Sequence, residues 1–174
     1  MDYLPDVIEG MGEDINAGYV GDFLAGFSQM KERGYQTGLV ARKDIMDELG
    51  ISVDDFSMTS KDTSTYSQLD DLFAKVKEAH PDMIAVGGTG GLPSTMGNFA
   101  DNLGNNFGML PDYGQSTTIT NVFESEFYHD FCAIARRWFL AGYESADAAT
   151  NQDSGETLMK AGNLFSYITN IKPN

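Results

Sequence analysis

The chain has one cysteine, two histidines, one tryptophan and only eleven basic residues among its 174. A lone Cys132 excludes an internal disulfide framework and any multi-cysteine zinc or iron–sulfur centre. Eleven Lys and Arg against twenty-six Asp and Glu leave a formal net charge of −15. Such a field repels a phosphate backbone or an anionic membrane surface unless a local basic patch opposes it, and none is visible. No segment approaches the roughly 20 apolar residues needed to span a bilayer. The opening MDYLPDVIEG lacks a basic n-region and a long apolar h-region. Composition therefore predicts no nucleic-acid or membrane partner, and a chain placed in the cytoplasm or in a particle assembled there.

What is present is core material. Hydrophobic residues make up 41%, with eleven Phe, eight Tyr and nine Met, enough for a packed interior without staples. Residues 1–34 read as an N-terminal helical segment, because Ile8, Met11, Ile15, Tyr19, Phe23, Phe27 and Met30 recur at helical spacing. Gly18, Gly21 and Gly26 oppose a continuous helix, so either a second backbone packs closely there or the helix breaks.

Residues 35–174 read as an α/β core within what is expected to be one domain. YQTGLVA (35–41) and DMIAV (82–86) are strand-like, and KDIMDEL (43–49) is a short helix stopped by Gly50. Leu69, Leu72, Phe73 and Val76 line one face of a helix that His80-Pro81 ends. QSTTITNVF reads as a strand and ESEFYHDFCAIARRWFLAG as the strongest helix. TLMKAGNLFSYITNI reads as a closing helix. The expected class is α/β or α+β, with about five helices packed on a small sheet of about four strands.

The stretch VGGTGGLPSTMGNFADNLG (86–104) carries the most chemistry. A strand, a glycine turn and a helix N-terminus aim backbone N–H groups at one point, which suits a phosphate or carboxylate. Gly87, Gly88, Thr89, Gly90 and Gly91 would form the cradle, with Ser94 and Thr95 donating at the helix start. Yet no lysine lies between Lys77 and Lys160, so the P-loop pattern fails, and Pro93 stands where GxGxxG needs its third glycine. GGTGG is similar to the phosphate loop of tubulin-type proteins, and its βα setting to the glycine turn of iron-dependent alcohol dehydrogenases. Neither likeness extends to metal ligands or to a second motif, and a ligand-free tight turn is the favoured reading.

Other constellations reduce to structure. IMDELGISVDDFS has helix-turn-helix rhythm, but its second segment offers Asp54 and Asp55 where a DNA reader needs basic or amide side chains. His129 and Cys132, three apart on a helix, read as a boundary residue and a core hydrophobe rather than a base and its nucleophile. Asp54-Asp55 and Asp70-Asp71 diverge too far to act as dyads. No metal site and no cofactor are expected, and an enzyme is disfavoured.

The leading expectation is therefore a non-enzymatic structural or assembly subunit of a virion, filament or multi-subunit complex. It would self-associate or bind protein partners, with Phe23, Phe27 and Met30 as candidate interface residues. The alternative is a small α/β module binding a phosphate-containing ligand or nucleotide at Gly87–Gly91, as an enzyme, an enzyme subunit or a binding protein.

Overall fold

The computed structural model describes residues 4–27, 36–57, 66–88, 101–103, 107–111 and 116–171. The chain divides into two compact units, one of residues 1–36 with 172–174 and the other of residues 37–171.

In the first unit, Pro5 opens a short helix, α1 (Pro5–Met11), and a 3-10 turn follows over Gly12–Gly18. The chain then doubles back as a hairpin of β1 (Tyr19–Val20) and β2 (Phe23–Leu24), pairing Tyr19 with Leu24 and Val20 with Phe23. The long apolar stripe expected of a helix is thus broken, and the glycines explain why. Gly21 turns the hairpin at φ +59°, and a Cβ on Gly18 would lie 2.0 Å from the Gly26 carbonyl oxygen. Only glycine permits that approach.

The second unit is built on β3 (Gln36–Ala41), β4 (Ile84–Val86) and β8 (Leu164–Ile171), ordered β3-β8-β4. β4 runs parallel to β8, with Ile84 opposite Leu164 and Val86 opposite Ser166. Parallel neighbours require a long crossover, and the residues between Val86 and Leu164 supply it. Three helices pack around this sheet: α2 (Lys43–Leu49), α3 (Ser67–Ala79) and α4 (Glu126–Leu140). α2 ends where expected, at Gly50 in the left-handed region (φ +65°). A 3-10 turn over Val53–Asp55 follows, capped reciprocally by Ser52 and Asp55, so no second helix of a helix-turn-helix forms. α3 ends at His80, and Lys77 Nζ reaches the Pro81 and Met83 carbonyls at 2.5 and 3.0 Å, closing the turn into β4.

The core joins Ile45 and Met46 of α2, Leu69, Leu72, Phe73 and Val76 of α3, Ala85 and Val86 of β4, Phe131, Ile134 and Trp138 of α4, and Phe165 of β8. Trp138 meets Phe73 edge to face at 5.0 Å between ring centroids. A separate antiparallel sheet joins β5 (Asp101–Asn102), β6 (Gly108–Leu110) and β7 (Thr120–Asn121), with Met109 buried at its centre. A last short helix, α5 (Gly155–Lys160), capped by Ser154, precedes β8.

The α/β class stands: the described residues hold five helices and eight strands in three small sheets. One correction is large. The expected closing helix is only α5; Gly162 at φ +82° ends it, and Leu164–Ile171 becomes the middle strand of the three-stranded sheet. None of the helices among the described residues is long and apolar enough to cross a membrane.

Candidate functional site

In open α/β sheets, ligands lie beyond the carboxyl ends of the strands, and β4 delivers Gly87 and Gly88 to that edge. The strand end is held from two sides. Ala85 and Val86 N–H both donate to the Tyr143 carbonyl at 2.9 and 3.1 Å, while Ile84 N–H donates to Asn163 O at 2.9 Å. From the β8 side, the buried Ser166 hydroxyl donates to Ala85 O at 2.7 Å. Gly87 N–H donates to Ser166 O at 3.2 Å, so that amide is committed to the sheet and does not face a ligand. Gly88 sits at φ +139°, and a Cβ there would lie 3.7 Å from the Gly155 nitrogen. Gly155 is itself buried; a Cβ on it would lie 2.4 Å from Cγ of Tyr167. The start of α5 therefore packs against the Tyr167 ring with no room for a side chain at Gly155, while the β4 end at Gly88 lies in ordinary contact with it.

Of the expected cradle, Thr89, Gly90, Gly91, Ser94 and Thr95 lie outside the described residues. Near the end of the same stretch, where a helix is expected to follow the turn, Asp101–Asn102 is strand β5.

The remaining candidates separate in space. His129 is 86% exposed, with Nδ1 3.6 Å from Asp130 Oδ1. Cys132 hydrogen-bonds the Tyr128 side chain one turn away, which raises the Tyr128 pKa. His80 Nε2 lies 3.2 Å from Glu48 Oε2, linking the ends of α3 and α2. Arg137 pairs with Asp70 at 3.0 Å. Among the described residues no three His, Cys, Asp or Glu side chains gather as metal ligands would. Phe23 and Phe27 are exposed in the first unit, and Met30 lies outside the described residues.

One grouping escapes sequence reading. Phe107, just before β6, and Phe123, just after β7, are 63% and 51% exposed, with ring centroids 5.8 Å apart. Phe123 meets Tyr128 of α4 edge to face at 5.1 Å. Residues 107 and 123 are too distant in sequence for any periodicity to pair them; the β6–β7 ladder does so.

Neither a protein-family model nor a curated protein sequence matches the chain. Its fold is similar to that of the N-glycan transport solute binding protein (NgtS) of Streptococcus pneumoniae. The TM-score is 0.64 at 14% identity, over 98% of this chain and 38% of that one. Structures of the same protein in complex with Man1GlcNAc and Man5GlcNAc give TM-scores of 0.62 at 14% and 16% identity, covering 98% of this chain and 38% and 37% of theirs. The chain thus spans well under half the length of the solute-binding protein it matches.

This likeness overturns the expectation of a non-enzymatic structural or assembly subunit of a virion, filament or multi-subunit complex. The misreading has a physical reason: aromatic and methionine side chains suit subunit interfaces as well as cores, and composition does not say which they fill. Phe73, Phe131, Phe165, Trp138, Tyr66, Met46 and Met109 are instead buried within the chain.

Proposed function

We propose that this chain is a ligand-binding α/β module that holds an uncharged saccharide without chemical change. The observation that carries the reading is the fold likeness, over 98% of the chain, to a solute-binding protein solved with N-glycan fragments. Two properties of the chain favour a neutral ligand. Its net charge of −15 opposes the approach of anions, and the Gly87 amide is already used by Ser166. A second reading, a phosphate ester or nucleotide held by Gly87–Gly91 with Ser94 and Thr95, is favoured by Gly88, whose φ of +139° suits a backbone that approaches a ligand closely.

Thermal unfolding of the full chain with a mannosyl-N-acetylglucosamine disaccharide, inorganic phosphate and ATP, each in turn, separates the readings. A ligand at about 100 times its Kd stabilises by about 2.7 kcal/mol. The saccharide is expected to raise Tm, and phosphate and ATP to leave it unchanged. A rise with ATP that Gly90→Val abolishes would transfer the function to the glycine turn. No rise with any of the three sinks both readings.

A further inference from the structure

We infer that Phe107, Phe123 and Tyr128 form a stepped platform, with neighbouring rings tilted 59° and 81° to one another, on one ring face of which the apolar side of a pyranose stacks; this inference rests on the saccharide reading. The rings are held in place before any ligand arrives. Phe107 and Phe123 lie 5.8 Å apart, and Phe123 and Tyr128 5.1 Å apart, the latter pair edge to face. The backbones that carry them are pinned as well. Val122 N–H donates to Phe107 O at 2.8 Å, and Phe123 N–H to the Asn121 side chain at 3.1 Å. Ser125 accepts from Tyr128 N–H at 3.1 Å and donates its hydroxyl to Val122 O at 2.7 Å. Three rings joined through one short ladder lose little freedom on binding, which preserves affinity.

The charge carried next to the rings in the chain selects the ligand. In the sequence, the stretch that carries these rings has no Lys or Arg between Lys77 and Arg136 and seven acidic residues. Glu124 and Glu126, both exposed, flank Phe123 and Tyr128 in the chain. Carboxylates only accept hydrogen bonds at neutral pH, so they complement a ligand that donates hydroxyls and reject one that carries phosphate. A pyranose meets both demands, with a C–H face for the rings and hydroxyls at its rim. A quaternary ammonium is the competing occupant, since exposed rings beside acids also attract cations.

The test is calorimetric titration of the full chain, wild type and variants, with the mannosyl-N-acetylglucosamine disaccharide and separately with choline. Phe107→Ala and Phe123→Ala are each expected to weaken saccharide binding on the order of tenfold, and Phe123→Tyr to hold it within about twofold. Far-UV circular dichroism checks that each variant is folded. Saturation-transfer NMR should show the sugar ring C–H protons receiving magnetisation from aromatic protons. Wild-type affinity in both alanine variants overturns the platform and leaves the saccharide reading standing. Absence of saccharide binding by the wild type overturns both. Choline binding that Phe123→Ala removes, without saccharide binding, reassigns the surface to a cation.

Discussion

The indole Nε1–H of Trp138 donates to the Asp70 carboxylate at 2.5 Å, joining α4 to α3 through a side chain that is 1% exposed. The same carboxylate pairs with Arg137 at its more open side. Asp70 is therefore the polar partner that lets a tryptophan sit in the core, because a buried N–H must find an acceptor.

Asp70→Ala leaves that N–H without its acceptor, and the expected loss is about 1–3 kcal/mol. Asp70→Asn keeps an oxygen in place and should lose less. Urea unfolding of the two variants measures the difference; equal stability of Asp70→Ala and wild type would show that the bond contributes nothing.

Gly155→Ala introduces a Cβ that would lie 2.4 Å from Cγ and 2.5 Å from Cβ of Tyr167. Neither the start of α5 nor strand β8 yields easily, and overpacking of this kind typically costs about 1–3 kcal/mol. Adding Tyr167→Ala should relieve part of the clash, so the pair is expected to be non-additive in a double-mutant cycle.

Ser166→Ala removes the buried hydroxyl that donates to Ala85 O at 2.7 Å. A loss of about 1 kcal/mol is expected. Ser166→Val fills the same tight seam between β4 and β8 with extra bulk, and should be the worse of the two by chemical denaturation.

Lys160 Nζ lies 2.5 Å from Glu156 Oε1 across one turn of α5, and this hydrogen bond holds the Glu156 carboxyl below its ordinary pKa. A carboxyl depressed on folding adds stability above its unfolded pKa, and that stability is lost as pH falls through the folded value. The pair therefore acts at neutral pH and fades in acid. Lys160→Met should move the Glu156 midpoint, followed by NMR of its side-chain carboxyl, upward to the ordinary glutamate range. An unmoved midpoint would show that the lysine is not its cause.

Local elements were legible because their signals are local. α2 occupies 43–49 with Gly50 as its stop, and Leu69, Leu72, Phe73 and Val76 all face the core, since helix faces and caps are written in residues three or four apart. α4 forms as the strongest helix and buries Phe131, Ile134 and Trp138 on one face, whereas Phe139 is about half exposed. The expected strand over QSTTITNVF shrinks to Thr120–Asn121 before Asn121 caps a 3-10 turn, a side-chain hydrogen bond that competes with the ladder. Of the expected glycine cradle, only Gly87 and Gly88 lie within the described residues, and the apolar run before them forms β4.

From the sequence by itself came the α/β class, the helix faces, the glycine stops and a charge that disfavours anions. Tertiary structure alone decided that Leu164–Ile171 is the middle strand, because its partners Ile84 and Val86 stand some eighty residues earlier in the chain. It also decided that Gly155 lies against Tyr167 and that Phe107, Phe123 and Tyr128 share one surface. A strand that continues an apolar run after a short helix offers the same residues to either conformation. Pairing with a distant neighbour settles which one forms.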